Sequence, residues 1–369
     1  MLSNVVVTGG GTGGHVFTGI AVLDEVLRRN PNARTGFLGS SKGHEVHLVP
    51  RSGHEAHVID ARPLRLNGAM GALRALRQIP AAVVAAMQIL RQIQPEVVLG
   101  VGGAASGPVL IAARMLGLRT VLHEQNAVPG LANRLAGRFV GHILVGIPQV
   151  RGRFVARPDV VYTGNPTRAE LLTALTGHVR SEGDALQVLV LGGSDGSPFL
   201  NARVPQVLAR VAAQLGRPIH VLHQAGTPHL GRIVAAYAQH SAQLGAELVV
   251  RVERFLVDMA AAYRFADVAI ALAGAGTLAE LSLAGVPSVV VPLAIAADDH
   301  QRENAYHFAR NGGIRVLDER DWTDARASDE VAELLSDRAL RVALGERFRS
   351  LATPGAAAAI VDQLAAIVT

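Results

Sequence analysis

Two segments of the sequence consist of an apolar run that leads directly into glycines. They are VVVTGGGTGG (5–14) and LQVLVLGGSDG (186–196). A short apolar strand, a glycine turn and then a helix are typical of the first βαβ unit of a parallel sheet. Because this pattern begins twice, the sequence predicts two similar α/β domains rather than one large sheet. A chain of 369 residues is long enough to form two cores.

Further apolar runs alternate with segments of helical periodicity, as in parallel sheets. They are RTGFLGSS (34–41), EVVLGVG (96–102), RTVLHE (119–124), HILVG (142–146), IHVLHQAG (219–226), AELVVRVE (246–253), ADVAIALAGAG (266–276) and PSVVVPL (287–293). We place the domains at 1–164 and 165–345, because Asn165-Pro166 disfavours helix. The C-terminal helix, at about 346–369, is expected to pack back on the first domain. The cleft between the carboxyl ends of the two sheets is the expected ligand site.

Composition excludes several kinds of site. There is no cysteine, so disulfides, thiolate metal sites and cysteine nucleophiles are excluded. Aromatic residues make up only 4% and no basic run is interleaved with them, which argues against nucleic acid as a partner. We expect no membrane-spanning helix, because no apolar run reaches about eighteen residues, and we recognise no targeting signal.

The two halves of the chain differ in charge. Residues 1–165 contain 17 basic and 8 acidic side chains, a formal charge of +9, whereas residues 166–369 contain 18 and 22, a charge of −4. A basic first half suits an anionic lipid surface or an anionic substrate. The ordinary solvated surface of an arginine-rich protein explains the same numbers, so charge alone leaves both interpretations open.

The first glycine loop matches a dinucleotide-binding fingerprint at Gly9, Gly11 and Gly14. A nicotinamide site also needs a carboxylate at the end of the second strand, and the strand at 34–41 ends without one. A nicotinamide oxidoreductase is therefore disfavoured. Backbone amides and a helix N-terminus still suit a phosphate, although a tight turn without a ligand is the simpler alternative.

His15 follows these glycines at the start of the predicted helix. An isolated histidine is usually structural. Next to a phosphate loop, however, an imidazole can take a proton from an attacking hydroxyl. His15 is therefore the candidate catalytic residue.

The segment AGAGTLAELSLAG (273–285) predicts a second phosphate site. We expect a helix to begin at about Thr277, with Glu280 on its first turn. The helix N-terminus would hold a diphosphate, and the carboxylate would accept both ribose hydroxyls. A Thr277–Glu280 capping box is the structural alternative. The glycine loop at 192–196 favours the diphosphate.

Several motifs together carry a family resemblance over nearly the whole chain. They are GGGTGGHVF (9–17), GVGGAASGP (100–108), HEQNAVPGLANR (123–134), TGNPTR (163–168), LGGSDG (191–196), DMAAAY (258–263), AGAGTLAEL (273–281) and DDHQRENA (298–305). With these motifs the chain resembles the MurG family of peptidoglycan glycosyltransferases. The resemblance implies an α/β GT-B glycosyltransferase fold, with two Rossmann-like domains facing a cleft.

The resemblance also implies an activity. A family member moves N-acetylglucosamine from UDP-N-acetylglucosamine (UDP-GlcNAc) to the 4-hydroxyl of a muramoyl pentapeptide carried on a polyprenyl diphosphate, with inversion. The product is lipid II, so the enzyme would serve peptidoglycan synthesis, cell shape and division. It would be a peripheral protein on the cytoplasmic face of the bacterial inner membrane. We expect no cofactor and no tightly bound metal, because no Asp-x-Asp pair follows a strand and Asp298-Asp299 suits a solvated or N-capping pair better.

The family motifs imply roles for individual residues. The acceptor would contact Gly11, Thr12, Gly13, Gly14, His15, Gly102, Gly103 and Asn126. The donor would contact Thr12, Gly13, Gly14, Asn126, Arg168, Ser194, Leu256, Gly274, Ala275, Gly276, Thr277, Glu280 and Gln301. Within this set His15 would act as the base, Glu280 would bind the ribose and the backbone near Leu256 would bind the uracil.

The chain also departs from the family pattern. The replacements are Thr18 for proline, Val101 and Ala104 for aromatic residues, Asp195 for glutamine, Leu272 for arginine, Gly276 for a serine-like residue and Ile295 for histidine. Several of them remove a hydrogen-bond donor or add negative charge where phosphate is expected. Two alternatives therefore stay open: a paralogue acting on another polyprenyl-phosphate or phosphoglycolipid, and a catalytically weak scaffold.

The segment GAMGALRALRQIPAAVV (68–84) is the candidate membrane contact. Its apolar side is formed by Met70, Leu73 and residues 76–79, and its flanks by Arg74 and Arg77. It resembles the region where the family has an apolar patch rimmed by basic residues, so an anionic cytoplasmic membrane surface is an implied partner. An ordinary helix packed on the domain is the alternative.

Overall fold

A computed structural model describes residues 1–62, 68–154, 159–175, 185–226 and 229–369; the side chains of 68–77, 151–153 and Ala297 are outside this description. The chain forms two compact units. The first contains Met1–Ala169 and Thr353–Thr369, and the second contains Glu170–Ala352.

The first unit is built on a parallel sheet. Its elements are β1 (Asn4–Thr8), α1 (Gly13–Arg29), β2 (Arg34–Ser40), α2 (Glu45–Arg51), β3 (Glu55–Ile59), α3 (Gly68–Ile93), β4 (Val97–Gly100), α4 (Ser106–Met115), β5 (Arg119–Glu124), α5 (Leu131–Ala136), β6 (His142–Val145) and β7 (Val160–Tyr162). Among the described residues seven strands pair in the order β3-β2-β1-β4-β5-β6-β7. The order reverses between β1 and β4, and in such sheets ligands bind at the carboxyl ends of the strands beside this reversal.

The second unit repeats the arrangement. Its elements are α6 (Ala169–Leu175), β8 (Leu186–Leu191), α7 (Pro198–Leu215), β9 (Ile219–Gln224), α8 (Leu230–Leu244), β10 (Leu248–Glu253), α9 (Met259–Phe265), β11 (Val268–Leu272), α10 (Ala275–Ala284), β12 (Ser288–Val291), α11 (His300–Ala309), β13 (Arg315–Val316), α12 (Asp324–Ser336) and α13 (Arg338–Ser350). In the described part of this unit six strands pair in the order β10-β9-β8-β11-β12-β13. This is the strand order of the first six strands of the other sheet.

The apolar strands are explained by burial on both faces of each sheet. Successive side chains of β1 point to opposite faces, so Val6 joins one core cluster while Val5 and Val7 join another. In β8 the same alternation separates Val188 from Leu189. The prediction of two α/β Rossmann-like domains is confirmed.

A final helix, α14 (Ala356–Val368), belongs to the first unit. Its Ile360 and Leu364 are buried in the cluster that contains the β1 side chains Val5 and Val7. Arg29 on α1 also donates a hydrogen bond to the backbone carbonyl of Ala358 at 3.0 Å. The chain thus returns to its first core after completing the second.

Three strands were not predicted from the sequence. Most residues of β3, β7 and β13 are half-buried or exposed, so these strands lack a continuous apolar run. Helix α3 contains the predicted membrane segment, but the side chains of 68–77 lie outside the described residues, so the patch around Met70 and Leu73 stays a prediction. Within the described residues no helix is both long and apolar enough to cross a bilayer.

Candidate active site

Two glycine loops meet at the carboxyl ends of β1 and β4. The amide of Gly10 donates a hydrogen bond to the carbonyl of Gly102 at 3.2 Å. Gly10 and Gly103 both have positive φ angles, 121° and 92°, and a Cβ at Gly103 would collide with the Gly10 carbonyl. Glycine is therefore required where the two backbones touch. The fold in this way brings the predicted acceptor residues Gly11–Gly14 next to Gly102 and Gly103.

A buried carboxylate lies beneath the first glycine loop. Glu45, the first residue of α2, is only 1% exposed. Its Oε2 accepts a hydrogen bond from the Gly11 amide at 2.9 Å, and its Oε1 accepts one from the Ser40 amide at 2.7 Å. Sequence reasoning did not find this residue. Because Glu45 already binds Gly11, an incoming phosphate would rely on the loop amides that follow.

His15 is half-buried on the first turn of α1. Its Nδ1 lies 3.1 Å from the Thr12 hydroxyl and 3.3 Å from the Gly10 carbonyl oxygen. A carbonyl only accepts, so this contact favours a proton on Nδ1 and a lone pair on Nε2. A Cβ added to Gly102 would lie 3.0 Å from Nε2, so this glycine leaves room for the imidazole.

A second buried carboxylate in the first unit organises two asparagines. Glu124, at the end of β5, is 1% exposed. It accepts hydrogen bonds from the backbone amide of Asn126 at 2.9 Å, from the side-chain Nδ2 of Asn126 at 3.0 Å and from the side-chain Nδ2 of Asn133 at 2.7 Å. The predicted residue Asn126 is therefore held by Glu124. The roles of Glu124 and Asn133 were not predicted, although both lie in the HEQNAVPGLANR motif.

The same motif contributes a buried histidine that holds the backbone at Gly164. His123 Nε2 lies 3.0 Å from the carbonyl of Gly164, so Nε2 is the donor, and Gln125 Nε2 lies 3.2 Å from His123 Nδ1. Burial lowers the pKa of His123 to about 4, only partly opposed by the bond to Gly164. His123 is therefore neutral near pH 7 and has a structural role.

Arg168, predicted to contact the donor, belongs to the first unit. Its guanidinium carbon lies 4.4 Å from the centroid of the Phe17 ring on α1, a cation–π contact. This contact places Arg168 beside the helix whose first turn carries His15.

In the second unit, the loop at 192–196 follows β8 and is held by a glutamine at the end of β9. Gln224 Nε2 donates to the Gly193 carbonyl at 2.8 Å, while its Oε1 accepts from the Leu256 amide at 3.2 Å. The predicted residue Ser194 is half-buried within this loop. Gln224, which sequence reasoning missed, thus joins the predicted phosphate loop to the predicted uracil segment. A uracil ring bound at this segment would have to use groups other than the Leu256 backbone amide, or would have to displace Gln224 from it.

Helix α10 begins earlier than the sequence suggested. Gly274 is its N-cap in an extended conformation with no side-chain cap, and the helix starts at Ala275 rather than at about Thr277. The prediction that Glu280 lies on the first turn is therefore wrong, as is the Thr277–Glu280 capping box: Glu280 lies on the second turn. The first helical backbone amides, those of Ala275, Gly276 and Thr277, have no acceptors within the helix. They can therefore donate hydrogen bonds to a bound phosphate.

Glu280 is held by a tyrosine from the neighbouring helix. The hydroxyl of Tyr263 on α9 donates a hydrogen bond to Glu280 Oε2 at 2.7 Å. Tyr263 is 2% exposed and packs in the apolar cluster of the second unit that also contains Leu278 and Leu281. Sequence reasoning assigned no role to Tyr263.

The first turn of α11 carries the remaining predicted donor residue. Gln301 Oε1 accepts a hydrogen bond from the Leu293 amide at 3.0 Å. Asn304, one turn further on, donates to the Ala273 carbonyl at 3.1 Å and ties α11 to the start of α10. Leu272, at the end of β11, is 8% exposed and belongs to the core.

The two aspartates before α11 have an unusual backbone. Asp298 and Asp299 both adopt left-handed φ angles, 52° and 57°. Asp299 is the N-cap of α11, but its side chain makes no capping hydrogen bond and is 48% exposed, so for this residue the solvated interpretation fits better than the capping one. Among the described residues no group of three or more His, Asp or Glu side chains is arranged to hold a metal ion.

Comparison with protein families and with curated proteins gives consistent matches. Residues 5–145 match the glycosyltransferase family 28 N-terminal domain, and residues 187–349 match the family 28 C-terminal domain. A protein of Citrifermentans bemidjiense is 36% identical over 98% of both chains. A protein of Xylella fastidiosa is 39% identical over 97% of this chain and 95% of its own length. Both are named UDP-N-acetylglucosamine--N-acetylmuramyl-(pentapeptide) pyrophosphoryl-undecaprenol N-acetylglucosamine transferase.

Solved structures agree with these matches. The crystal structure of Acinetobacter baumannii MurG is similar with a TM-score of 0.74 and 30% identity, covering 99% of both chains. A UDP-N-acetylglucosamine 2-epimerase from Listeria monocytogenes has a TM-score of 0.70 at 13% identity. The second likeness shows the fold alone.

Proposed function

Since the chain belongs to glycosyltransferase family 28, we infer that it is a hexosyltransferase that moves N-acetylglucosamine from UDP-GlcNAc to a muramoyl pentapeptide on a polyprenyl diphosphate. The product is lipid II, the lipid-linked disaccharide of peptidoglycan synthesis. The carrying observation is the full-length similarity to relatives named for this reaction, at 36% and 39% identity. The motifs of the chain predicted the same family and reaction.

We propose that the second unit binds UDP-GlcNAc. The first amides of α10, from Ala275 to Thr277, would hold the β-phosphate together with the loop that contains Ser194, because both supply backbone N–H groups. Glu280 would accept hydrogen bonds from the ribose hydroxyls. Gln301 is proposed to hold the sugar. Its Oε1 already binds the Leu293 amide, which orients the side-chain amide nitrogen as a donor.

The first unit is proposed to bind the acceptor. The amides of Thr12, Gly13 and Gly14 would take the diphosphate, since Gly11 already donates to Glu45. Asn126 would contact the sugars, oriented by the two hydrogen bonds that its amides donate to Glu124.

His15 is the proposed base. Its Nε2 would take the proton from the acceptor 4-hydroxyl as that oxygen attacks the anomeric carbon. The bond from the anomeric carbon to the β-phosphate oxygen breaks at the same time, with inversion, and UDP leaves with the electron pair. Backbone amides that stabilise the charge on the departing diphosphate would supply what a metal ion supplies in other transferases, so we propose a reaction without a tightly bound metal.

Attachment to the membrane is proposed as peripheral, on the cytoplasmic face of the bacterial inner membrane. Its support is the formal charge of +9 in residues 1–165, because anionic lipids attract such a surface. On α3, Val84 is the last residue of the predicted segment 68–84, and its apolar side chain is 55% exposed.

The test is transfer by the purified full chain in detergent, with UDP-GlcNAc and a polyprenyl-diphosphate muramoyl pentapeptide. We expect one β-linked disaccharide product, much slower transfer from UDP-glucose and UDP-N-acetylgalactosamine, and activity that survives a chelator. Transfer to a different lipid phosphate but not to the muramoyl acceptor would contradict the acceptor assignment. Loss of activity with the chelator, restored by a divalent cation, would contradict the metal-free mechanism.

A further inference from the structure

We propose that Tyr263 is a positioning residue that sets the ribose selectivity of the donor site through Glu280. The observation is the 2.7 Å hydrogen bond from the Tyr263 hydroxyl to Glu280 Oε2. The inference rests on the proposed function, in which Glu280 binds the ribose of UDP-GlcNAc. It adds a residue, Tyr263, that does not touch the substrate but orients Glu280, which is proposed to bind it.

The two side chains differ in how firmly the protein holds them. Tyr263 is 2% exposed and its ring packs in the apolar cluster with Leu278 and Leu281 of α10. Its helix is also capped at its start, where the side chain of Asp258 accepts a hydrogen bond from the Ala261 backbone amide at 2.8 Å. The hydroxyl oxygen of Tyr263 is therefore a fixed point.

Glu280, by contrast, is a half-buried side chain with three rotatable bonds. A short hydrogen bond from a hydroxyl to an ionised carboxylate is among the stronger ones in proteins, so it selects one rotamer of Glu280. A carboxylate has about four acceptor positions, so binding one phenol is compatible with accepting both ribose hydroxyls. Loss of the Tyr263 hydroxyl removes a contact that orders the carboxylate before the nucleotide binds, so part of that ordering would be paid on binding, which weakens it.

A matched control is available in the same unit. Tyr237 on α8 is 1% exposed, and its hydroxyl lies 3.0 Å from Nδ1 of the buried His223. It packs in the other core cluster of this unit, the one that does not contain Leu278. Tyr237→Phe therefore removes a buried hydroxyl from the same unit without touching Glu280.

The experiment measures binding of UDP and of 2′,3′-dideoxyuridine diphosphate to the full chain by calorimetry. Wild type, Tyr263→Phe, Tyr237→Phe and Glu280→Ala are compared. We expect Tyr263→Phe to weaken UDP binding roughly fivefold to thirtyfold. Its affinity for the dideoxy ligand should change by less than about twofold, because that ligand has no hydroxyl for Glu280 to accept. In turnover assays KM for UDP-GlcNAc should rise while kcat is retained.

The preference for UDP over the dideoxy ligand is measured within each variant, so it does not depend on the fraction of folded protein. If Tyr263→Phe keeps the wild-type preference for UDP while Glu280→Ala loses it, the positioning role is overturned and the donor assignment stays intact. An equal loss for both ligands in Tyr263→Phe would show a merely structural role and overturn the proposal. If Glu280→Ala keeps the wild-type preference, the ribose assignment itself is wrong and the role of Tyr263 fails with it.

Discussion

The carboxylate of Glu45 accepts the backbone amide of Gly11 at a distance of 2.9 Å. Its other oxygen accepts the Ser40 amide at 2.7 Å, so one buried side chain ties the first glycine loop to the end of β2. A dinucleotide-binding domain uses a carboxylate near this strand end for a ribose. Here the carboxylate binds the protein's own backbone and joins the glycine-rich turn to the end of β2.

Both oxygens of Glu45 are used, so we expect Glu45→Gln to destabilise the protein as Glu45→Ala does. An amide offers one acceptor, and its NH₂ group would face the second backbone N–H. The expected cost is about 1–3 kcal/mol in the free energy of unfolding, measured by urea titration of the full chain. The control is Glu55→Gln on the exposed edge strand β3, which should change stability by less than about 0.5 kcal/mol. A stable Glu45→Gln variant would mean that the carboxylate does not order the loop.

Alanine should be tolerated less well at Gly10 than at Gly11. Both have positive φ angles, 121° and 87°, so both substitutions strain the backbone. A Cβ at Gly10 would also collide with the Glu45 carboxylate, whereas a Cβ at Gly11 meets nothing within 4 Å. In a Glu45→Ala background the excess penalty of Gly10→Ala should therefore shrink. Thermal unfolding of the single and double variants measures this coupling, and strict additivity would argue against the contact.

His15→Ala should lower kcat by about a hundredfold to ten-thousandfold, the usual contribution of a general base. Donor affinity should be unchanged, because Glu280 and Gln301, proposed to bind the ribose and the sugar of the donor, lie in the other unit. The measurement is turnover at saturating substrates together with calorimetric binding of UDP. His142→Ala, at an exposed position on β6, is the matched control. Turnover within about threefold of wild type would eliminate the base role, and a rise only in the KM of the acceptor would point to a phosphate contact instead.

The stability of the first unit should fall in mild acid because of His123. Its pKa is about 4 in the folded protein, against an ordinary value of 6.5, because burial disfavours the charged form. Below about pH 6.5 the unfolded chain therefore binds a proton at His123 that the native state does not bind. The free energy of unfolding is therefore highest above pH 6.5 and falls as the pH is lowered towards 4. Between these values each bound proton changes the free energy of unfolding by about 1.4 kcal/mol per pH unit.

His123→Gln, which cannot take up a proton, should show a slope shallower by about this amount in urea titrations between about pH 4.5 and 6.5. Above about pH 7 the same variant should show no change in slope. A slope equal to that of wild type over the acid range would mean that His123 is accessible to protons in the native state.

The fold could be predicted because periodicity is a local property of the chain. Strands buried on both faces read as continuous apolar runs, so β1, β4, β5 and β8 were visible in the sequence. The edge strand β3 has exposed residues and no such signal. The start of α10 was placed two residues late, because its N-cap is Gly274, which carries no side chain to mark it.

Parts of the candidate site could be read from the sequence because glycines and His15 lie within a few residues of each other. The side chains that hold these residues lie much further away in the sequence. Glu45 lies 34 positions from Gly11, and Tyr263 lies 17 positions from Glu280. Nothing in the local pattern around these residues distinguishes them from helix surface or core.

The sequence by itself determined the two α/β units, the glycine turns and the family to which the chain belongs, since each depends on residue types at short spacing. Only the tertiary structure decided which distant polar atoms meet: Glu45 with Gly11, Tyr263 with Glu280, Gln224 with Leu256. The physical reason is that a buried polar group must find a partner, and the partner is whatever the packing of distant elements brings within about 3 Å.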